Sequence, residues 1–180
     1  MKLFEKHMTI GIKVKLREKR LSDARNDYAW LTDAELAELD AASPPTTTFA
    51  QYLTDYTGDL RYPTASRHQF AIETGEGKHI GNCTYYGIDY DKKEAELGIM
   101  LGDRDYWDQG YGTAAMTALI DYVFGKTSLN RLYLKTLVNN RRAQKCFAKC
   151  GFVPYGHLEK DGYSFILMEL HRDDWKKKQG

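Results

Sequence analysis

Trp107-Asp108-Gln109-Gly110-Tyr111-Gly112-Thr113 separates a strand-like run, residues 94–102, from a helix-like run that begins at Tyr111. Its two closely spaced glycines lack a Cβ, so the backbone lies close to whatever rests against it. The first N–H groups of the helix that follows have no intrahelical acceptor. A helix start of this kind favours an anion, and the stretch reads as a phosphate cradle.

Downstream, Tyr111, Ala114, Ala115, Ala118, Leu119, Tyr122 and Val123 fall on one helix face, which the pattern ends near Gly125. Residues 131–138 alternate as a strand. Asn140 caps a second helix with the stripe Ala143, Cys146, Phe147 and Cys150, closed by Gly151. Two strands, 152–158 and 163–170, precede a polar tail. Upstream, strands over 68–74, 78–90 and 94–102 are joined by short turns at Glu76-Gly77 and Asp91-Lys92. Before them stand a strand over 10–16, a helix capped by Ser22 or Asp23 and reaching Trp30, a short helix over 33–39, the break Ser43-Pro44-Pro45, and helical spacing of Phe49, Tyr52, Leu53 and Tyr56. These early helices are placed to form one wall of a cleft.

This order predicts an α+β fold: a mostly antiparallel twisted sheet of six to seven strands, flanked by helices, with one parallel crossover. The crossover runs from the strand ending at Gly102, through the helix, to the strand ending at Val138. The glycine loop sits on it.

A chain of 180 residues makes one domain, expected over 10–171 with a polar tail over 172–180. Lys and Arg total 26 against 25 acidic residues, a net charge of +1, so no long-range field draws the protein to nucleic acid or an anionic membrane. Any anion site must be local. No apolar run approaches a membrane span, and the first residues lack a signal-peptide core, which points to the cytoplasm. Cys83, Cys146 and Cys150 form no C-x-x-C pair, and they read as reduced thiols with no metal site.

Three phosphate ligands compete for the loop. A Walker loop requires lysine after its last glycine, and Gly112-Thr113-Ala114 has none. Gly110, Gly112 and Ala115 match the dinucleotide spacing, but the glycines do not follow a strand directly, and the next strand ends Leu137-Val138-Asn139-Asn140 without an acid. The third reading rests on Glu94-Ala95-Glu96-Leu97-Gly98-Ile99-Met100-Leu101, the loop 107–113, Asn140-Arg141-Arg142-Ala143 and Lys149-Cys150-Gly151-Phe152 taken together. These segments resemble the GNAT superfamily of acetyl-CoA-dependent N-acetyltransferases, within it the branch of ribosomal-protein-alanine and polyamine acetyltransferases.

The resemblance implies a GNAT-like fold and acetyl-CoA as co-substrate, its pyrophosphate held by backbone from Gln109 through Gly110, Tyr111 and Gly112 to Thr113, beside Trp107. It implies that Ile99, Met100 and Leu101 meet the pantetheine arm, with Asn140, Ala143 and Phe147 on the opposite side. A free strand amide would polarise the thioester carbonyl. Two departures stand out. The superfamily usually has Arg or Gln where Trp107 stands, and a small residue in place of Asp108, whose side chain is expected to turn from the phosphates. Many members also have a tyrosine, acting as general acid, where this chain has Phe147. That leaves Cys146, Tyr155 or water to protonate the departing thiolate.

The expected reaction is attack by a neutral primary amine, a protein α-amine or a small molecule, in a ternary complex. A lysine-like amine titrates about 2.5 units above an α-amine, roughly 3.5 kcal/mol of extra deprotonation cost at neutral pH. Glu96 is the candidate base, directly or through water. Tyr85, Tyr86 and Tyr90 are possible cleft linings, and the five histidines are scattered. A monomer or homodimer is expected. The alternative, a non-catalytic acetyl-CoA sensor, draws on Phe147 and Asp108.

Overall fold

A computed structural model describes residues 13–180 and the backbone of a strand at Met8–Ile10. Among these residues the order is β1 (Met8–Ile10), β2 (Val14–Glu18), α1 (Ala24–Leu31), α2 (Ala34–Leu39), α3 (Phe49–Arg61), β3 (Arg67–Thr74), β4 (His79–Asp89) and β5 (Glu94–Leu101). There follow α4 (Tyr111–Lys126), β6 (Arg131–Leu137), α5 (Arg141–Cys150), β7 (Val153–Lys160), β8 (Tyr163–His171) and α6 (Arg172–Gln179). The strands form one sheet in the order β1-β2-β3-β4-β5-β6-β8-β7. All neighbours pair antiparallel except β5 and β6.

The α+β architecture and its single parallel crossover are those expected, with eight strands in place of six to seven. The excess arises at the N-terminal run expected as one strand over 10–16. Its residues 14–16 belong to β2, which extends to Glu18, Ile10 ends the separate β1, and Gly11 and Ile12 lie outside the described residues. Two further boundaries move. Gly125 stays inside α4, whose apolar face continues through Phe124 into the core, and Thr127 caps the helix instead. The expected polar tail is α6: Arg172 donates to the carbonyls of Leu129, Phe124 and Thr127 at 2.6–2.8 Å, and Trp175 Nε1 donates to Asp121 at 2.6 Å. A mean pattern of charge hides these two anchors.

Alternation along the strands divides the sheet into unlike faces. Val14, Leu16, Phe70, Ile72, Cys83, Ala95, Leu97, Leu132 and Leu134 pack with Ala115, Met116, Leu119, Val123 and Phe147 of α4 and α5 in the main core. The other face is polar. Arg17 of β2 makes a paired salt bridge to Asp23 (2.8 Å for both bonds) and a second bond to Glu73. Lys19 binds Asp27 at 2.6 Å, Asn82 donates to Asp27 at 2.6 Å, and His79 stands 3.4 Å from Asp23 and 3.1 Å from Asn82. Every one of these charged groups is buried or nearly so, and each has partners, as burial of charge requires. The network fastens α1 to β2 and β4.

Above it, Trp30 lies edge-on to His79 at 4.8 Å and covers Gly102, where a Cβ would fall 2.0 Å from the indole. Gly81 of β4 is equally required, since a Cβ there would meet the Met100 carbonyl at 2.2 Å. Both glycines let the end of β5 lie tight against β4 and α1.

Burial, together with the neighbouring Lys19, holds the His79 imidazole below its ordinary 6.5. For Asp23 burial pushes upward but is outweighed by the bonds from Arg17 and the Arg20 N–H, leaving the carboxyl below 3.8. In both cases the unfolded chain takes up the proton first as pH falls, so stability is lost on acidification. Urea unfolding is expected to show stability declining below pH 6.5 as His79 titrates, with a further loss below pH 3.8 from Asp23. His79→Gln should flatten the first decline and leave the second.

Candidate functional site

The parallel register of β5 and β6 contains only Glu94↔Arg131, Ala95↔Leu132 and Glu96↔Tyr133. Beyond Glu96 the strands part. β6 stays paired with β8 along its whole length, and β5 with β4. Gly102 and Asp103 both donate to the Ile80 carbonyl, at 3.0 and 3.1 Å, which draws the end of β5 further to the β4 side.

The gap opens into a cleft of about 250 Å³. Ile99, Met100 and Leu101 line it from β5; Trp107, Asp108, Gly110, Gly112 and Thr113 from the loop and α4; and Asn140, Ala143, Cys146 and Phe147 from α5 and its cap. These include ten of the twelve expected cofactor residues. Gln109 and Tyr111 are not among them. Gln109 turns its carbonyl to Lys13 Nζ (2.7 Å) and its amide to the Asp105 carbonyl, while the Tyr111 ring packs edge-on to Tyr106 at 4.9 Å.

Gly110 caps α4 with φ 84°, a left-handed conformation that strains any residue with a Cβ. Its carbonyl accepts the first helical bond, from Ala114, so the N–H groups of Tyr111, Gly112 and Thr113 lie in the unpaired first turn. Asn140 Oδ1 accepts from Ala143 N–H at 3.1 Å, fulfilling the cap expected of it.

Trp107 is tied down by its indole N–H, which donates to the Leu101 carbonyl at 2.8 Å. The Arg142 guanidinium lies 3.4 Å from the centroid of that ring. A cation therefore reaches the loop from α5. Asp108 adopts a left-handed backbone (φ 56°) and is among the residues that line the cleft.

The catalytic candidates separate. Glu96 does not line the cleft; it is the last paired residue before the strands part. Lys135 Nζ donates to it at 2.8 Å, and Tyr86 stands opposite in the β4 register. Burial, then the bond to Glu96, pushes the Tyr86 hydroxyl up, so it remains a proton donor. Asp40, on the lip, is solvent-accessible yet crowded enough that desolvation pushes its carboxyl up against the pull of Lys135.

Cys146 lies in the cleft but beside Thr113 (3.6 Å) and Gly112, on the loop side, so the structure does not bring it to Glu96 as an acid. Tyr155 is on the edge strand β7, its ring 5.0 Å from the Arg131 guanidinium and outside the cleft. Of the tyrosines suggested as linings, Tyr85 is buried in the core and Tyr90 is exposed. His7 lies outside the described residues.

The sequence reading missed Leu36, Leu39 and Asp40 as lining residues, and also Arg142, Lys145 and Lys149. Arg142 and Lys149 share the face of Cys146 by helical spacing, and Lys145 continues the row between them, so extending that face would have found them. The early helices were expected to wall a cleft, but nothing local singles out which residues of α2 line it.

The model of the acetyltransferase (GNAT) domain matches residues 13–153. The chain belongs to this family. With it come acyl transfer and acetyl-CoA as co-substrate. Among relatives of this GNAT chain, the uncharacterized N-acetyltransferase p20 of Bacillus licheniformis is 29% identical over 86% of this chain and 92% of its own. The spermidine N(1)-acetyltransferase of Vibrio cholerae is 27% identical over 53% of this chain, a match that spans 55% of that enzyme's length. The same fold appears in the crystal structure of spermidine N-acetyltransferase from Vibrio cholerae in complex with CoA and spermine (TM-score 0.81, 20% identity, 91% of this chain and 98% of that one). It appears again in the aminoglycoside acetyltransferase AAC(6′)-Ib with coenzyme A (TM-score 0.78, 20% identity, 93% and 99% covered).

The two loop glycines should differ on substitution. Gly110→Ala forces a Cβ into the left-handed region and is expected to cost about 1–2 kcal/mol. At Gly112 a Cβ meets only Leu101 at 3.5 Å and Cys146 at 3.7 Å, ordinary contacts in a helical turn. Gly112→Ala should remain within about 0.5 kcal/mol of the parent in urea unfolding.

Proposed function

We propose that the chain acetylates a cationic small-molecule amine, seating acetyl-CoA in the cleft and admitting the amine from the polar face of the sheet. The observation that carries this reading is the parting of β5 and β6 after Glu96, with the unpaired first turn of α4 at the mouth of the gap. The donors fit the cofactor. Backbone N–H groups of Tyr111, Gly112 and Thr113 suit a pyrophosphate, and Ile99, Met100, Ala143 and Phe147 offer apolar walls to the pantetheine arm. Bound acetyl-CoA supplies the acyl group.

The chain's own part is to orient the amine and take its proton. Glu96 occupies the position where the polar face meets the start of the gap, and its carboxylate accepts from Lys135. Glu96 acts as base, with the Lys135 ammonium and Tyr86 hydroxyl fixing its orientation. Asp40 on the lip adds a second acid facing the approach. Two acids suit an acceptor with several amino groups, the chemistry named in the spermidine and aminoglycoside relatives. Phe147 is buried against Phe152 and has no proton to give, so the thiolate leaves to solvent water. The same residue sustains the second reading, a sensor that binds acetyl-CoA without turnover.

Calorimetry with acetyl-CoA, and free-thiol release with spermidine, an aminoglycoside and N-terminal peptides, separates the readings. Binding with turnover on the polycations is expected; binding with no turnover on any amine selects the sensor. Gly112→Ala, folded as above, should bind acetyl-CoA about tenfold more weakly because its methyl occupies the cradle.

Glu96→Gln is expected to lower kcat/KM by about 10²-fold at neutral pH. The deficit should shrink as pH approaches about 10.4, where the amine deprotonates unaided. A deficit constant across pH would remove Glu96 from the role of base.

A further inference from the structure

Two thiols stand outside the reaction above, and one of them opens on its cleft. Cys146 is half-buried and lines the cavity, with Thr113 Oγ1 donating to its sulfur across 3.6 Å. It lies so close to the phosphate loop that a methyl on Gly112 would stand 3.7 Å from it. Cys150, one turn on, directs its thiol hydrogen to the Thr113 carbonyl (3.7 Å), and Thr117 Oγ1 lies 3.8 Å away.

These contacts polarise the pair. The neighbouring Cys150 thiol, followed by the Thr113 hydroxyl and the Lys149 ammonium, holds Cys146 below the ordinary thiol range despite burial, while Cys150 is pushed up by the nearby Cys146 and by burial. Cys83 is fully buried and is pushed up by desolvation. Cys146 alone combines access with thiolate character.

The pair cannot close on itself. Residues four apart on a helix have Cβ atoms about 5–6 Å apart. A disulfide requires about 3.5–4.5 Å. Cys150 is therefore not a resolving partner, and an adduct on Cys146 persists until an external thiol removes it.

We propose that Cys146 is a reversible thiolation site that closes the cofactor cleft. Its thiolate attacks one sulfur of a compact low-molecular-weight disulfide: a Cys146–S–S–R bond forms, the disulfide's own S–S bond breaks, and the other half leaves as a thiolate. The disulfide is the oxidant, and one equivalent of small thiol is the product. The adduct lies against Gly112 and Thr113, so it and the pyrophosphate exclude each other. This inference rests on the acetyl-CoA reading of the cleft.

Hydroxyethyl disulfide, applied to the whole protein and mapped by peptide mass spectrometry, tests it, with S-methyl-CoA as a ligand that has no free thiol. Cys146 should be modified at least about tenfold faster than Cys150 or Cys83. Saturating S-methyl-CoA should slow that modification by about tenfold, and the modified protein should bind S-methyl-CoA at least about tenfold more weakly until dithiothreitol restores it. Cys146→Ser, compared with its own untreated affinity, should lose nothing on treatment. Where this variant fails to fold, mapping and protection of the parent protein decide. First modification at another cysteine, or no protection under conditions where calorimetry shows S-methyl-CoA bound, overturns the thiolation proposal alone. Failure of the untreated protein to bind S-methyl-CoA overturns the cofactor reading, and the proposed exclusion with it.

Discussion

Two neighbouring parallel strands that share only the register pairs 94–96 with 131–133 are the constraint on which the rest of this molecule depends. Strands separate only if their backbone groups are satisfied elsewhere. Here each strand keeps an outer partner, β4 for β5 and β8 for β6, so the opening between them does not unravel the sheet. The inner groups face a cleft, where a ligand with its own amides can take the place of a strand.

The opening is held by side chains that belong to neither strand's core face. Trp107 binds the Leu101 carbonyl from the loop, and Trp30 covers Gly102 from α1. The position of Trp30 depends in turn on α1, which is fastened by Asp23 and Asp27 to Arg17, Lys19 and Asn82. A buried ionic network contributes little net stability over an apolar packing of equal volume, because desolvation offsets its attraction. Its geometry is directional, however. It fixes where α1 sits, and through α1 the end of β5.

Much of this was legible in the sequence because it is local. Periodicity separated β3, β4 and β5 from α4 and α5, Asn140 and Gly151 marked the ends of α5, and the glycines of the loop marked the N-terminus of α4. What was not legible depends on contacts distant in the chain. Asp40 reaches the cleft because α2 lines it together with β5 and α5; the early helices were expected as a wall, but no pattern within residues 34–40 names the residues that face it. Gly125 looked like a stop, but burial of Phe124 overrides a propensity cost of about 1 kcal/mol. The tail looked merely polar because its charges, the exposed Lys176 to Lys178 among them, outnumber the two residues, Arg172 and Trp175, that dock it.

Charge distribution shows how a chain of net +1 presents a basic wall and an acidic patch at once. On the α5 wall, Arg142, Lys145 and Lys149 repeat along one helix face beside the phosphate cradle. On the polar face of the sheet, Glu96 and Asp40 gather near the start of the gap, with Lys135 bound to Glu96. At physiological ionic strength charges are screened over about 8 Å, so each cluster acts mainly on the ligand part beside it. Placing Trp107 in the loop fits this arrangement. The indole gives its hydrogen bond to the strand end and its ring face to Arg142, so the cation is positioned by α5 and the loop's backbone N–H groups are left unpaired.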